Sequence, residues 1–512
     1  MDPESVLSKT KSIALIGTDA RIVEVEVHVA DQGLSHFAIV GLPAKSVREA
    51  EQRTRSALVS TDEAWPKRRI VANLAPGILR KEGTHFDLAI ALGILAASGR
   101  IDNEPLGDWI AIGELALDGK IRPVRGALAA AMACRETGHR GLLCPTANAP
   151  EAALVEGIEV IPLETLAECI SWLKGAWSPP PIRAAAQDDT GYNEDLAEVR
   201  GHPAARRALE VAAAGGHNLL LVGPPGSGKT MLARRLPGIL PPMTIEESLE
   251  VTRVHSVAGL LAERAALVRT RPFRTPHHNI SLAGLIGGGT GLARPGEASL
   301  AHHGALFLDE LTLYRGEALE SLRAPLEDGV VRIARSGGSI SYPCRFSLIG
   351  AMNPCACGYV GESGRCRCSE RQLDNYRTKL SGPLLDRLDV QVAMARLTKD
   401  ELLSGPDGEC SAVVGERVRK AKELQAARYG SSLTSNASAS SAQLAKVVRL
   451  SGAATALVGL AVDSLGLSGR GVDRVLRVGR TLADLGGSEA VTDEHVAEAV
   501  TYRALEGEGR TA

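Results

Sequence analysis

The stretch GPPGSGKT at residues 223–230 constrains the fold of this chain more than any other feature. It follows the largely apolar run 218–222 and precedes a helical pattern that begins near Met231, so the order is strand, glycine-rich loop, helix. Gly223, Gly226 and Gly228 allow the backbone to curl until its N–H groups face phosphate oxygens. A helix that begins here also directs its positive end toward the same charge. The stretch therefore predicts a phosphate-binding loop.

Two side chains of this loop are expected to carry chemistry. Lys229 should reach the β- and γ-phosphates, and the Thr230 hydroxyl should bind Mg²⁺. ATP and Mg²⁺ are the expected cofactors. The predicted nucleotide-binding residues of the loop are Gly223, Pro224, Pro225, Gly226, Ser227, Gly228, Lys229 and Thr230.

Composition limits the class of protein. A length of 512 residues suggests about three domains. Only 3% of the residues are aromatic, so base stacking cannot be the main mode of nucleic-acid binding. The formal net charge of −2 means that any nucleic-acid surface must be local. We find no long apolar run and no signal-peptide pattern at Met1, so we expect a cytoplasmic protein that does not span a membrane.

Residues 1–175 have the alternating pattern of an α/β domain. Strands are predicted at 22–29, 36–40 and 70–74, and helices at 46–59, 87–97 and from Gly126 to about Thr137. A hairpin within 110–124 is predicted to turn at Asp118–Gly119. The basic cluster at 67–69 is open to two interpretations, a nucleic-acid contact or a solvated face. Residues 176–198 are rich in Pro, Ala and charge, which predicts a linker.

Residues 199–395 contain two further apolar runs that end in polar side chains, as expected of an ATPase core. The run 305–308 ends in Asp309 and Glu310. Asp309 is expected to hold the Mg²⁺ shell and Glu310 to activate the attacking water as a general base. The run 346–352 ends in Asn353, which we expect to contact the γ-phosphate or the water.

Four cysteines fall within 14 residues, in the order C-x-C and C-x-C. Four thiolates are able to hold Zn²⁺ tetrahedrally. The usual spacing is C-x₂-C, so a redox-sensitive or purely polar-loop cluster stays open as the alternative. The candidate ligands are Cys355, Cys357, Cys366 and Cys368.

Residues 396–512 are predicted to form a helical lid. A helix is expected over 413–429, and the Ser-rich stretch 430–441 is expected to be a mobile loop. A later helix should begin with Ser468 as its N-cap.

The order of these parts resembles the YifB/ComM family of Mg-chelatase-like AAA+ ATPases. The motifs that carry the resemblance span nearly the whole chain. They are GPPGSGKT, the PHH segment, LFLDE, LRAPLEDG, AMNPCACG, LLDRLD and the SGRGVDR helix. Ala356 stands where the family commonly has Pro between two cysteines, which removes no ligand. The implied fold is α/β, with a ribosomal-S5/Lon-protease-like N-terminal domain, a P-loop AAA+ core with a parallel sheet and a C-terminal α-helical lid.

The resemblance also implies roles for single residues. The block that contains Val199 and His202 would contact the adenine. Arg387 would reach the γ-phosphate of a neighbouring subunit, the alternative being a salt bridge with Asp386 or Asp389. Arg470 would act in cis as sensor 2, with Arg474 one turn later as the alternative.

Two insertions resemble the helix-2 insert and the pre-sensor-1 hairpin, which line the pore of a hexamer in this branch of AAA+ proteins. The hairpin is predicted within 329–342, with its turn at Gly337–Gly338. The expected DNA contacts are Arg274, His277, His278, Arg332 and Arg335, of which the two histidines are weaker candidates as metal ligands. The implied function is an ATP-driven homo-hexamer for branch migration, with recombination proteins as candidate partners.

The N-terminal domain resembles the Lon peptidase domain at GELALDGKIRPVRG, residues 113–126. His85 occupies the place of the Lon serine and Leu128 that of the lysine. A Ser–Lys dyad needs both groups, so we expect no peptidase activity, Thr84 being the one substitute nucleophile considered. A metal-chelatase ATPase subunit is the second hypothesis, against which the Lon-like domain argues. An ATP-switched DNA-binding scaffold is the third.

Overall fold

A computed structural model describes residues 7–30, 34–182, 194–261, 267–289, 293–335, 338–360, 364–380, 382–403, 408–431 and 433–503. Residues 183–193 of the predicted linker lie outside them.

The strands, numbered along the chain, are β1 (Leu7–Ile16), β2 (Asp19–Val29), β3 (His36–Val40), β4 (Arg69–Ala75), β5 (Trp109–Ala111), β6 (Glu114–Leu115), β7 (Ile121–Arg122), β8 (Gly141–Pro145), β9 (Glu159–Leu163), β10 (Leu219–Val222), β11 (Phe273–Arg274), β12 (Gly287–Gly288), β13 (Arg294–Pro295), β14 (Ala305–Leu308), β15 (Val330–Arg335), β16 (Gly338–Pro343), β17 (Ser347–Met352) and β18 (Val390–Ala393).

The helices are α1 (Lys45–Arg48), α2 (Ala50–Ser60), α3 (Asp87–Ala97), α4 (Ala127–Glu136), α5 (Ala149–Ala152), α6 (Leu166–Leu173), α7 (Pro203–Gly215), α8 (Lys229–Ala233), α9 (Leu236–Ile239), α10 (Ile245–Ala258), α11 (Leu282–Ile286), α12 (Glu297–Leu300), α13 (Gly316–Ser321), α14 (Arg323–Asp328), α15 (Glu370–Arg377), α16 (Gly382–Leu385), α17 (Lys399–Leu403), α18 (Ser411–Tyr429), α19 (Ser441–Val447), α20 (Gly452–Leu465), α21 (Gly469–Leu485) and α22 (Asp493–Thr501).

A mixed seven-stranded sheet, in the order β3-β4-β2-β1-β5-β8-β9, forms the N-terminal part. Its β2 strand alternates along the chain because one face is buried: Val23, Val25 and Val27 are inaccessible to solvent. Every residue of α3 is buried, as expected of a helix that is apolar on all sides. The helix approaches the sheet closely at Gly93, where a Cβ would lie 2.6 Å from a methyl group of Val27. The predicted hairpin is present as β6 and β7, with Glu114 opposite Arg122.

The second sheet is five-stranded and fully parallel, in the order β11-β14-β17-β10-β18. Its central strands are continuous apolar runs because helices cover both faces. Parallel strands end at the same edge, so the loops after β10, β14 and β17 are neighbours. The prediction of a parallel P-loop core is confirmed.

The C-terminal helices pack on the same core. Side chains of α18, α21 and α22 form one apolar cluster with α7 and β10. The stretch 430–441, predicted to be a mobile loop, is instead fixed where it is described: Asn436 is fully buried. Its amide donates to Asp484 Oδ2 at 2.8 Å and to Thr481 Oγ1 at 3.0 Å. The buried oxygens of Asp484 and Thr481 need a hydrogen-bond donor. The Ser-rich composition of 430–441 does not reveal that Asn436 supplies it.

Candidate nucleotide-binding site

The loop after β10 has the backbone that its glycines predict. Gly226 and Gly228 adopt positive φ angles of 77° and 83°. A Cβ at Gly223 would lie 2.4 Å from the carbonyl oxygen of Met394. Larger residues are therefore excluded at all three positions by strain or by overlap. Gly228 precedes α8, which begins at Lys229.

Lys229 is nearly buried within this loop. Its ammonium donates to the carbonyl oxygens of Gly223 at 2.6 Å and Pro224 at 2.9 Å, and to Asn353 Oδ1 at 3.3 Å. Burial lowers the pKa of Lys229, while the negative charges of Asp309 and Glu310 oppose that shift. The structure thus brings together Lys229 and Asn353, which are far apart in the chain.

The two predicted Mg²⁺ ligands also meet. The Thr230 hydroxyl donates to Asp309 Oδ2 at 2.7 Å. Oxygen donors of this kind suit Mg²⁺, which prefers one or two protein oxygens together with water and phosphate. The donor set fits the ion that the loop implies.

Glu310 follows directly in an unusual conformation. Its φ angle of 51° lies in the left-handed region, which costs a non-glycine residue about 1 kcal/mol. The residue is exposed, and no hydrogen bond of its carboxylate is found among the described residues. Strained positions of this kind concentrate at functional sites. No sequence pattern indicates this backbone angle.

The predicted adenine block lies against the same loop. Val199 is fully buried, and the ring of His202 contacts the backbone of Ser227. Burial lowers the pKa of His202, which favours the neutral imidazole. Within the described chain, His202 Nε2 and Ser227 Oγ are buried polar atoms without a hydrogen-bond partner. Such atoms are rare in proteins, and a ligand with polar groups would satisfy them.

Tyr376 is a residue of the site that sequence reasoning missed. Its hydroxyl donates to the carbonyl oxygen of Asn353 at 2.9 Å and accepts from Thr312 Oγ1 at 3.0 Å. Thr312 follows Glu310 by two residues, so Tyr376 connects two of the loops that carry predicted site residues. The signal available in the sequence was one aromatic residue within the mostly polar α15, in a chain poor in aromatics.

Arg387 is nearly buried and paired within its own subunit. It donates to the carbonyl oxygen of Pro383 at 2.6 Å and forms an ion pair with Glu327. The alternative pairing with Asp386 or Asp389 is therefore corrected to Glu327. Asp389 instead accepts from the backbone N–H of Asn218 at 3.2 Å.

Asp389 marks the edge of the sheet at which Arg387 and Arg474 lie. It precedes β18 as Asn218 precedes β10, so both are at the amino ends of the strands. Arg474 Nε lies 3.8 Å from Asp389 Oδ1. The phosphate loop is at the carboxyl ends, about 13 Å away across four residues of strand. The structure therefore does not bring Arg474 to its own subunit's phosphate loop.

Arg470 is exposed one helical turn before Arg474, near the start of α21. The predicted cap of this helix is present, since Ser468 Oγ accepts from the N–H of Gly471 at 3.2 Å. That Arg470 acts in cis as sensor 2 stays a prediction.

The predicted DNA-contact residues differ in whether their positive charge is already paired with a carboxylate. Arg274 forms two hydrogen bonds with Glu297, at 2.6 and 2.9 Å, so its charge is compensated locally. Arg332 pairs with Asp328 at 2.6 Å, but both side chains are exposed and such pairs are weak. The rings of His277 and His278 are tilted by 32° to one another, with centroids 4.1 Å apart.

The hairpin itself is present as β15 and β16. Arg335 pairs with Gly338, so Gly338 belongs to β16, and the other residue of the predicted turn, Gly337, lies outside the described residues. The backbone of Arg335 is described, but its side chain is not.

The four clustered cysteines converge after β17. Sγ of Cys355 lies 3.4 Å from that of Cys357 and 4.0 Å from that of Cys366, and the last two are 3.7 Å apart. All four sulfurs lie within 4.8 Å of one another. A tetrahedral Zn²⁺ site with bonds of about 2.3 Å places sulfurs about 3.8 Å apart. The donor set fits zinc.

A second cluster, Glu250 with His302 and His303, has the composition of a metal site but is hydrogen-bonded. The N–H of Arg345 donates to His302 Nδ1 at 3.0 Å, so the ring proton is on Nε2. That proton is donated to Glu250 Oε2, 3.0 Å away. The His302 Nε2 lone pair is therefore unavailable to a metal in this arrangement.

The N-terminal domain shows what replaces the peptidase dyad. The His85 imidazole is buried and its Nε2–H donates to the carbonyl oxygen of Ile13 at 2.7 Å. Leu128 is fully buried, and its N–H donates to Glu151 at 2.8 Å. The same carboxylate accepts from Ser256 of α10, which joins this domain to the ATPase core. The Thr84 hydroxyl donates to Glu114.

We expect the N-terminal domain to lose stability in acid because of His85. Burial lowers the pKa of His85 from 6.5 to about 4. Between these values the unfolded chain binds more protons, so the free energy of unfolding should fall by roughly 3 kcal/mol as the pH drops from 7 to 4. All four tryptophans precede residue 178, so their fluorescence during urea unfolding reports this domain. His85→Gln should flatten the dependence of the free energy of unfolding on pH, whereas His36→Gln, at an exposed position, should not. Equal slopes of that free energy against pH in the wild type and both variants would contradict this.

Among the helices that the structure describes, none combines the length and the apolar character required to cross a membrane.

Comparison with known families matches three segments of the chain. Residues 195–402 match the family described as magnesium chelatase, subunit ChlI. Residues 25–148 match subunit ChlI of Mg-chelatase, and residues 408–503 match its C-terminal region.

Full-length relatives are similar over nearly the whole chain. An uncharacterized protein of Mycobacterium tuberculosis is 44% identical over 498 residues, 97% of this chain and 98% of that protein. The competence protein ComM of Haemophilus influenzae is 42% identical over 503 residues, 96% and 97% of the two chains. The uncharacterized protein YifB of Escherichia coli is 39% identical over 505 residues, 98% and 97% of the two chains. The chain therefore belongs to the YifB/ComM family of Mg-chelatase-like AAA+ proteins.

Proposed function

We propose that this protein is an ATP-hydrolysing ring motor that acts on branched or single-stranded DNA. The observation that carries the ATPase part is the meeting of Lys229, Thr230, Asp309 and Asn353 at one edge of the parallel sheet. We further propose a cytoplasmic homo-hexamer with recombination proteins as partners. Its proposed domains are 1–175, a linker 176–198, the core 199–395 and the lid 396–512.

In the proposed mechanism each residue has a separate task. The loop N–H groups and Lys229 bind the phosphates, and Thr230 and Asp309 hold Mg²⁺, which neutralises phosphate charge when bound. Glu310 takes a proton from the attacking water, for which its exposed carboxylate is suited. Asn353 orients the γ-phosphate or that water, and Val199 and His202 accommodate the base.

The arginines favour a ring. Arg387 and Arg474 lie at the amino edge of the sheet, whereas the phosphate loop lies at the carboxyl edge. We propose a head-to-tail ring in which the amino edge of one subunit faces the phosphate loop of the next. We therefore propose that Arg387 completes the site of a neighbour, and that Arg470 acts in cis as sensor 2.

DNA as the substrate has two supports. A full-length relative is a competence protein, whereas each chelatase description covers one segment of the chain. The hairpin also presents Arg332 on an exposed strand. A ring repeats that charge in every subunit, which would concentrate positive potential in a narrow channel. A chelatase-type ATPase that remodels a protein partner is the second candidate, favoured by the family descriptions.

The DNA proposal is tested by replacing Arg332 and Arg335 together with Ala. We expect basal ATPase to stay unchanged, while DNA stimulation and migration of a four-way junction fall by about tenfold or more, because phosphate contacts and counterion release are lost. The wild type should also bind DNA less tightly as salt rises. The control replaces Lys67, Arg68 and Arg69 with Ala. Normal migration by the hairpin variant would exclude the pore and favour the scaffold hypothesis.

We also propose that Cys355, Cys357, Cys366 and Cys368 bind one Zn²⁺ per subunit. Their sulfurs have tetrahedral spacing, and the N–H of Val360 points at Cys355 Sγ from 3.3 Å, as outer-shell donors do in thiolate sites. We name the described residues 355–360 and 364–368, which contain these four cysteines, the cysteine knuckle.

A further inference from the structure

The cysteine knuckle is built into the walls of the nucleotide site. It begins two residues after Asn353, and Cys355 is fully buried. Gly358 has a φ angle of 86°, and a Cβ there would lie 2.6 Å from Cδ of Pro225 in the phosphate loop. Backbone of the knuckle therefore touches the phosphate loop directly, with no room for a side chain.

The other end of the knuckle reaches the site through Tyr376. Ser369 follows Cys368 at once and caps α15, with its hydroxyl accepting from the N–H of Gln372 and its own N–H donating to Gln372 Oε1 at 3.0 Å. Tyr376 lies on this helix and is almost buried. Its hydroxyl joins the backbone of Asn353 to Thr312, which follows the Glu310 loop.

We propose that a zinc ion in the cysteine knuckle is a structural part of the ATPase site, and that Tyr376 is the positioning residue through which it sets Asn353. The inference rests on the ATPase and zinc proposals above. Four zinc–sulfur bonds would hold the knuckle in one conformation. Without them, the conformational entropy of its backbone would oppose that order. The fixed loop then holds Pro225 through Gly358 and Asn353 through Tyr376.

The first test is Tyr376→Phe, which removes the hydroxyl and keeps the ring. We expect kcat for ATP to fall about tenfold, the effect of one lost hydrogen bond in the transition state, with zinc content and nucleotide affinity unchanged. Tyr359→Phe, in the same knuckle, is the matched control and should behave as wild type. A purely structural role would lower thermal stability without separating kcat from KM. Wild-type kcat in Tyr376→Phe would overturn the positioning role.

The second test uses Cys366→Ser and Gly358→Ala. The first should lose zinc, measured by metal analysis of the purified protein, and lose ATP hydrolysis with it. The second should keep zinc and bind a fluorescent ATP analogue more weakly, because its Cβ overlaps Pro225. Full ATPase in zinc-free Cys366→Ser, or a wild type that is active without zinc, would overturn the proposal. If the wild type binds zinc and nucleotide but never hydrolyses ATP, the ATPase proposal fails, and weaker binding by Gly358→Ala still supports the coupling of knuckle and loop.

Discussion

Glu310→Gln should abolish ATP hydrolysis while leaving ATP binding intact. Gln has nearly the same shape but cannot take a proton from water, and a general base contributes about 10²- to 10⁴-fold to such a step. The cradle formed by Lys229, Thr230 and Asp309 is not altered. Turnover by phosphate release and affinity by a fluorescent ATP analogue measure the two effects separately.

Two further variants give this experiment its controls. Glu317→Gln changes an exposed carboxylate seven residues later and should hydrolyse ATP as the wild type does. Lys229→Ala should lose binding itself, because the phosphates lose their ammonium partner. Wild-type turnover by Glu310→Gln would show that another group is the base, and undiminished affinity of Lys229→Ala would contradict the phosphate-loop assignment.

Arg387→Ala should be almost inactive alone and regain activity when mixed with Lys229→Ala. An arginine supplied to a neighbour's phosphate contributes about 10³- to 10⁵-fold to turnover. Each variant keeps the half-site that the other lacks, since Lys229 and Arg387 lie at opposite edges of the sheet. Mixed rings therefore contain interfaces with both residues intact. Steady-state ATPase over a range of mixing ratios is the measurement.

Glu327→Gln separates this role from a structural one. It removes the ion pair of Arg387 but keeps the arginine. If Arg387 serves a neighbour, Glu327→Gln should retain most activity; if the ion pair is what matters, both variants should lose activity alike and mixing should restore nothing. Full ATPase from a strictly monomeric protein would also exclude the ring.

The nucleotide site could be predicted because its parts are local in sequence. A phosphate loop needs glycines at fixed spacing, and strands buried on both faces read as continuous apolar runs before Gly223, Asp309 and Asn353. The parallel order of β10, β14 and β17 then follows, since their polar ends must share one edge.

β1 was not predicted, because its buried face is polar. Ser8 and Thr10 point into the core and donate to the carbonyl oxygens of Gly93 at 2.6 Å and Ala89 at 2.9 Å. The strand therefore lacks the apolar alternation that marks β2. Its partner, α3, is about 80 residues away in the chain, so only the folded structure shows that the hydroxyls are satisfied.

The sequence by itself determined which residues we propose for phosphate chemistry, because that chemistry depends on residue type and short spacing. The tertiary structure decided which edge of the sheet each arginine occupies and which partner it has. Arg474 faces Asp389, and Arg387 pairs with Glu327, 60 residues away. The contact of Tyr376 with Asn353 was decided in the same way. These pairings depend on how separate elements pack, and side-chain periodicity within one element carries no information about that packing.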